Sequence, residues 1–220
     1  YSPDFSERET LYTHLNVFEQ FNPVIPDSLR ETPFVFLANI GPELQLHVLD
    51  QMKKPEFVAM DTMNFWIERS YYAVREVIAR VDGLIINDEE ARMITGQKNL
   101  IRAMEEIKEW GPKVLIVKKG EHGAVLLLDD GFFYLPAYPV RDIVDPTGAG
   151  DTFAGGFMGY LASADEITPA TVRAATVAAS ALASFNVEGF GVEKLKEISD
   201  ENIRQRVEEF QKMTCLALDR

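Results

Sequence analysis

The chain has 220 residues, of which 46% are hydrophobic, so it is long enough to bury one α/β core. Its 35 acidic residues against 22 lysines and arginines give a formal net charge of −13, which disfavours nucleic acids and anionic membranes as partners. Cys215 is the only cysteine, no apolar run reaches about 18 residues and no signal-peptide pattern opens the sequence, so we expect no internal disulfide and a cytoplasmic location.

Residues 1–33 differ from the rest of the chain and are expected to form an N-terminal arm. They contain prolines at positions 3, 23, 26 and 33 and do not read as a strand followed by a helix. Within the arm, residues 10–18 are apolar enough to form one strand. We therefore expect the folded core to begin at residue 34.

From residue 34 the sequence alternates between predicted strands and predicted helices. Short apolar runs predict strands at 34–38, 57–60, 83–86 and 114–117, then a hairpin of strands at 124–128 and 132–135. Helices are predicted at 42–52, 66–79, 88–95 and 100–110, and further helices begin at 151, 168 and about 200. This alternation predicts a single α/β domain over 34–220, with a mostly parallel sheet sandwiched between helices.

A polar residue follows each of the first four predicted strands, immediately or closely. These residues are Asn39, Asp61, Asn87 and Lys118. Ligands of such sheets gather beyond the carboxyl ends of the strands, so we expect the four side chains to line one cleft. An alternative for Asn39 and Asn87 is that each caps the helix that follows it.

Residues 145–156 read Asp-Pro-Thr-Gly-Ala-Gly-Asp-Thr-Phe-Ala-Gly-Gly, a glycine-rich turn directly before a predicted helix. Gly148, Ala149 and Gly150 allow a tight backbone path whose N–H groups converge at the positive helix N-terminus. Asp151 places a carboxylate at the same junction. An anion-binding turn beside a carboxylate suits phosphoryl transfer, in which the carboxylate takes the proton of an attacking hydroxyl.

The sequence of this turn does not match either of two standard phosphate-binding motifs. Gly150 to Gly155 has Walker A spacing, but Gly156 and Phe157 stand where Lys and Ser or Thr are required. Gly148 and Gly150 open a dinucleotide fingerprint, but its third glycine is replaced by Phe153. A plain helix start with Asp151 as an ordinary first-turn acid is the remaining alternative.

The string resembles the signature of the ribokinase-like, or phosphofructokinase-B, carbohydrate kinases, which usually reads D-T-x-G-A-G-D-x-F-x-x-G. The matching residues are Asp145, Thr147, Gly148, Ala149, Gly150, Asp151, Phe153 and Gly156. Asn87 to Glu90 resembles the family's N-x-x-E motif, and residues 119–123 resemble its K-G-x-x-G turn. The resemblance covers roughly residues 34–195. It implies a ribokinase-like fold and an ATP-dependent kinase of a sugar or similar alcohol, nucleosides included, with Asp151 as catalytic base.

The resemblance also implies the nucleotide-binding residues. Lys118, Gly120 and Gly123 would lie along ATP, while Asn87 and Glu90 would act through water on its Mg²⁺. For Asn87 and Glu90 the alternative is a capping box, because Asn at the N-cap and Glu at N3 stabilise a helix start; the coincidence with the family motif favours the role in binding. Ala179 matches a position that lines the adenine pocket in relatives, although an alanine-rich helix more often just permits close helix packing.

Other assignments from the resemblance concern the acceptor and a monovalent cation. Asn39 and Asp61 are expected near the acceptor, together with Asp151; Asp61 opens a D-x-x-N segment where relatives commonly have D-x-N, which leaves the role of Asn64 in doubt. Asp145 and Thr147 match a loop that binds K⁺ in several relatives. Main-chain oxygens of Phe185, Glu188 and Phe190 would complete that site. The three histidines, His14, His47 and His122, have no metal-ligand spacing.

Family members normally have an upstream portion with further strands, a lid and an early glycine-rich sugar contact, none of which is visible in this sequence. The chain is therefore expected to be a fragment, with 10–18 as a strand returning from the lid; a complete small protein with a loose arm is the alternative. Relatives often dimerise through the lid, so a homodimer is an open expectation. Two other functions stay open: a non-catalytic nucleotide-binding member of the fold, and a kinase of a vitamin-like alcohol such as pyridoxal or a hydroxymethylpyrimidine.

Overall fold

A computed structural model describes residues 14–214 of the chain, which form six strands and nine α-helices. The strands are β1 (Phe34–Leu37), β2 (Phe57–Met60), β3 (Gly83–Asn87), β4 (Val114–Lys118), β5 (Ala124–Leu128) and β6 (Gly131–Leu135). The helices are α1 (Pro42–Gln51), α2 (Asn64–Arg69), α3 (Tyr71–Ile78), α4 (Asp88–Thr95), α5 (Leu100–Glu109), α6 (Ala149–Ala162), α7 (Pro169–Asn186), α8 (Glu193–Glu197) and α9 (Asp200–Thr214).

The six strands form one sheet in the order β1-β2-β3-β4-β5-β6. Strands β1 to β4 run parallel, and β5 and β6 add an antiparallel hairpin at the edge. The expected mostly parallel sheet with a hairpin is thus confirmed. Because the first four strands are parallel, their carboxyl ends meet along one edge of the sheet, where the polar residues that follow them are brought together.

The two faces of the sheet pack against different groups of helices. Alternate strand residues such as Val58, Leu84 and Val117 face a core that includes residues of α3, α4 and α5. The intervening residues, such as Ala59 and Ile116, face a second core formed with α6 and α7. The strands are therefore buried on both faces, which explains their near-continuous apolar sequences. The arrangement fixes the start of α6 relative to the sheet.

One predicted helix is divided into two helices in the structure. Residues 66–79 were expected to form a single helix, but the structure has α2 and α3, which meet at Ser70. Ser70 has φ −130° and ψ 39°, outside the helical region. Serine has a low propensity for helix interiors, because its hydroxyl can form alternative hydrogen bonds with nearby backbone groups. The short helix α8 was not predicted.

The part of the N-terminal arm that the structure describes lies against α1. The carbonyl oxygen of Pro23 is 3.0 Å from Nε2 of His47 and accepts a hydrogen bond from Nε2 of Gln51, whose Oε1 accepts one from the Ile25 N–H. The strand expected at 10–18 was wrong for its described part, since residues 16–20 form a 3₁₀-helix; residues 10–13 lie outside the described residues.

The C-terminal helix α9 packs on α7 through the buried Phe210 and through Arg206. Its guanidinium carbon lies 3.4 Å from the centroid of the Phe185 ring and 4.4 Å from that of Tyr138. The same group donates to Oγ of Ser184 and pairs with Glu188 at 3.1 Å. Stacking combined with paired hydrogen bonds is the use that suits arginine best. This contact holds the end of α7 and the loop that follows it.

None of the described helices is both long enough and apolar enough to cross a membrane.

Candidate active site

The ends of β1 and β2 are fixed by the buried side chain of Gln45. Its Nε2 donates to the carbonyl oxygens of Leu37, Ala38 and Asp61, at 3.0 to 3.1 Å. These contacts hold the two strand ends side by side, which places Asn39 and Asp61 together at the carboxyl edge of the sheet. The backbone N–H of Asn39 also hydrogen-bonds the Asp61 side chain. Sequence reasoning missed Gln45, because a glutamine on a helix gives no sign of being buried.

Asn87 and Lys118 stand side by side at the ends of β3 and β4. They are register partners in the parallel ladder. The capping box considered for Asn87 is present: its Oδ1 accepts from the Glu90 N–H at 2.7 Å, and Oε2 of Glu90 accepts from the Asn87 N–H at 2.8 Å. Both side chains therefore stabilise the start of α4.

The glycine-rich turn leads directly into α6, as expected. Gly148 is the N-cap and has φ +82°, a left-handed conformation that glycine adopts without steric cost. The N–H groups of Gly150 and Asp151 donate to no acceptor among the described residues, as expected at a helix start. The Asp151 side chain is exposed at this end of α6. The turn therefore offers unpaired N–H groups beside a carboxylate.

Lys118 reaches this turn from β4. A Cβ added to Gly150 would meet Nζ of Lys118 at 3.0 Å, so the ammonium group lies beside the start of α6. Lys118 makes no salt bridge within 4.0 Å to any acidic side chain of residues 14–214. An ammonium and helix N–H groups that face the same space form a site for an anion.

Asp61 has a strongly perturbed electrostatic environment in the cleft. Burial raises its pKa to about 7; the positive charge of Lys118 acts against this shift, and the charges of Asp151 and Glu90 add to it. The side chain is 6% exposed, and Oδ1 finds no hydrogen-bond partner within the described part of the chain. Asp61, Glu90, Lys118 and Asp151 thus form one electrostatic cluster. Strongly perturbed acids in a cleft are typical of functional sites.

The turn after Lys118 is closed by its own backbone. The Lys119 N–H donates to the Gly123 carbonyl at 2.7 Å, and Gly120 to His122 form one turn of 3₁₀-helix. Gly123 has φ +89°, and a Cβ there would lie 2.0 Å from the carbonyl oxygen of Leu135. Gly120 has φ +53° and open space around it. Gly123 is therefore required by packing against β6, whereas Gly120 is free to approach a ligand.

Ala179 lies at the contact between α6 and α7. It is fully buried in the core beneath the sheet, and a Cβ on Gly156 would lie 3.2 Å from its Cα. The small residues let α6 and α7 approach closely, which is the alternative that an alanine-rich helix suggested. The adenine contact at Ala179 stays a prediction. Asn64 begins α2, and its buried Oδ1 has no partner among the described residues.

The loop before α6 is joined to the loop after α7. The carboxylate of Asp145 accepts from the N–H of Thr147 at 2.9 Å and from the Gly191 N–H, and these bonds lower its pKa. The Val144 N–H donates to the carbonyl of Val187 at 2.8 Å. The segments 145–147 and 185–190, which were expected to share a cation, are thus adjacent. Asn186, which no sequence motif marked, belongs to the second segment and packs against Gly148.

Comparison with known families identifies the chain. A model of the pfkB family carbohydrate kinases matches residues 41–198. The chain belongs to this family. The resemblance read from residues 145–156 is therefore confirmed, and so is the ribokinase-like fold.

Curated relatives include several nucleoside kinases. The chain is 37% identical to the cytidine kinase of Thermococcus kodakarensis over 143 residues, which are 62% of this chain and 50% of the relative. It is 29% identical to the nucleoside kinase of Methanocaldococcus jannaschii over 163 residues, 73% of this chain and 50% of the relative. The chain spans about half the length of these two relatives.

Solved structures show the same fold. The Methanocaldococcus jannaschii nucleoside kinase, described as an archaeal member of the ribokinase family, superposes with a TM-score of 0.70 at 24% identity, over 88% of this chain and 60% of that one. Thermotoga maritima ribokinase gives a TM-score of 0.65 at 25% identity, over 84% of this chain and 59% of that one.

Proposed function

We propose that this protein transfers the γ-phosphoryl group of ATP to a hydroxyl group of a nucleoside or sugar. The observation that carries the proposal is the position of the Lys118 ammonium beside Gly150, next to the unpaired N–H groups at the start of α6 and one residue before Asp151. A cation, helix N–H groups and a base at one point are the parts that phosphoryl transfer needs.

The proposed reaction is an in-line displacement. The substrate hydroxyl oxygen forms a bond to the γ-phosphorus while the bond from that phosphorus to the β,γ-bridging oxygen breaks, and ADP leaves. Asp151 takes the proton of the hydroxyl as the new bond forms. The N–H groups of the turn 148–151 and the ammonium of Lys118 stabilise the negative charge of the phosphoryl oxygens. Gly120, in its open turn, would lie along the nucleotide.

The cleft fits a magnesium ion that is held through water. No three acidic, histidine or cysteine side chains of residues 14–214 are arranged to bind a metal directly. Mg²⁺ usually keeps several waters and binds substrate phosphates through few protein groups. Glu90 would hold such a hydrated ion, with the buried, unpartnered Oδ1 of Asp61 facing the same cluster. When bound, the ion offsets charge on the β- and γ-phosphates.

The adjoining loops fit a monovalent cation. Asp145 keeps its negative charge because backbone N–H groups of Thr147 and Gly191 lower its pKa. Carboxylate and carbonyl oxygens are the ligands that hard cations prefer. Asp145, Thr147 and the main-chain oxygens of Phe185, Glu188 and Phe190 would hold K⁺ just behind the anion-binding turn.

The acceptor is proposed to lie at the ends of β1 and β2. Asn39 is exposed there, and Asp61 is buried next to it. A nucleoside is the favoured acceptor, because the relatives named cytidine kinase and nucleoside kinase cover more than 60% of this chain. The acidic surface is consistent with a small-molecule substrate rather than a nucleic acid.

ADP formation measures this activity directly. The full-length natural protein is supplied with Mg²⁺ and ATP, and with a panel of nucleosides, sugars and vitamin-like alcohols. We expect ADP formation that depends on a nucleoside or sugar, with one phosphate ester formed per ADP. Nucleotide binding without acceptor-dependent ADP formation would instead indicate a non-catalytic member of the fold. ADP formation with pyridoxal alone would indicate a vitamin kinase.

A further inference from the structure

Asn186, the last residue of α7, has a buried and only half-satisfied side chain. It is 2% exposed. Its Nδ2 donates to the carbonyl oxygen of Gly191 at 2.8 Å. Its Oδ1 has no hydrogen-bond partner within residues 14–214. Buried amide oxygens in native proteins are seldom left in this state, so the group calls for a physical explanation.

The carboxamide of Asn186 lies against the anion-binding turn. The Cβ position of Gly148 would be 3.7 Å from Oδ1 and 3.9 Å from Nδ2, so the amide packs on the open face of this glycine. Gly148 and Gly191 both have positive φ, +82° and +58°. Asn186 contacts both glycines, and Asp145 accepts from the N–H of Gly191. The Asn186 side chain therefore contacts both the loop before α6 and the loop after α7.

Stability alone does not explain an asparagine here. A leucine has nearly the same shape and would remove the buried oxygen that finds no partner, at the loss of one hydrogen bond to Gly191. Removing the unpartnered oxygen relieves its desolvation cost, and the carbonyl of the partly exposed Gly191 can accept a hydrogen bond from water instead. Residues that break such local rules tend to serve function.

We propose that Asn186 is a positioning residue for the anion-binding turn. Its side chain hydrogen-bonds Gly191 and packs against Gly148. These contacts fix the left-handed conformation of Gly148, and thereby the direction of the first N–H groups of α6. This assignment rests on the proposed function only for what the turn binds, namely the transferring phosphoryl group. Holding the turn is a property of the free protein.

The test compares Asn186→Leu with a matched control, Ser184→Ala. Ser184 is also buried in the last turn of α7, but its hydroxyl contacts Arg206 on α9 rather than the turn. Amide hydrogen exchange of residues 147–152 is measured on the free proteins. Affinity for Mg²⁺ with a non-hydrolysable ATP analogue, and kcat and KM with an acceptor, are measured on the same samples.

We expect Asn186→Leu to melt near the parent temperature, to exchange the amides of 147–152 faster, and to lose about tenfold to hundredfold in kcat. Ser184→Ala is expected to melt earlier with parent-like exchange in this segment. Equal exchange of 147–152 in the parent and Asn186→Leu would overturn the proposal. If the parent binds no analogue, the kinase function fails, while the exchange result still decides the role of Asn186.

A second variant covers the case in which Asn186→Leu does not fold. Asn186→Asp is isosteric, but it cannot donate to Gly191 and adds a negative charge behind the turn. It should show the same faster exchange and, in addition, weaker binding of the analogue. Parent-like exchange and affinity in this variant would likewise overturn the proposal.

Discussion

Nζ of Lys118 lies 3.0 Å from the point where a Cβ on Gly150 would stand. The contact joins the carboxyl end of the central strand β4 to the N-terminus of α6 across the cleft. A Cβ at position 150 would displace the ammonium by a few tenths of an ångström, so glycine allows the lysine its closest approach to the turn. The positive end of the helix and the lysine therefore act on one anion.

Lys118→Met should separate this charge from the shape of the side chain. The variant keeps the apolar stem, so we expect it to fold and melt like the parent. Loss of one electrostatic contact to the transferring group should lower kcat by about a hundredfold. Lys119→Met, which changes the next residue outside the strand, is the control and should retain turnover. Parent-like kcat in Lys118→Met would remove this lysine from the site.

The two glycines of the 119–123 turn should respond differently to alanine. Gly123→Ala places a Cβ 2.0 Å from the Leu135 carbonyl oxygen at φ +89°, so we expect a loss of more than about 4 kcal/mol or no folded protein. Gly120→Ala meets nothing within 4 Å and should cost about 1 to 2 kcal/mol for its positive φ. Urea unfolding of both variants measures the difference. Equal losses would show that the close packing at Gly123 is incorrect.

Asp61 should make stability depend on pH. Its pKa in the folded protein is raised from 3.8 to about 7, chiefly by burial. The folded state therefore favours the protonated form, and this stabilising contribution is present below pH 4 and is lost as pH rises through about 7. At about 1.4 kcal/mol per pKa unit, the total loss is about 4 kcal/mol.

Unfolding of the parent and Asp61→Asn at pH 5 and pH 8 tests this linkage. The variant should be more stable than the parent by about 2 kcal/mol at pH 5 and by about 4 kcal/mol at pH 8, because the parent loses this contribution between its unfolded and folded pKa values. Asp129→Asn is the control, because Lys108 lowers the pKa of that exposed carboxyl and it stays ionised across the range. A stability difference between parent and Asp61→Asn that does not change with pH would contradict the raised pKa.

The sheet was predictable because its strands are buried on both faces. Runs such as Val114 to Val117 are apolar without interruption, and the structure extends that strand by only one residue. Helix boundaries were less predictable. The break at Ser70 was hidden because apolar residues continue at helical spacing on both sides of the serine.

The candidate site was predictable only where motifs mark it. The glycine turn, Asp151, Asn87 and Lys118 follow from local sequence, because each lies at the end of a strand or the start of a helix. No sequence motif marks Gln45 or Asn186. Gln45 hydrogen-bonds a residue that is distant in the chain, and Asn186 hydrogen-bonds one beyond a turn, so local sequence does not indicate either contact. Ala179 resembled a ligand contact in sequence, but its surroundings are those of a helix interface.

The most direct test of the account is turnover by Asp151→Asn. The substitution keeps the size and hydrogen-bonding shape of the side chain but removes the base, so affinity for the ATP analogue should stay near the parent value while kcat falls by about 10² to 10⁴. Asp142→Asn, an exposed acid in the loop before the turn, serves as the control. A folded Asp151→Asn protein that phosphorylates the acceptor at the parent rate would contradict the account.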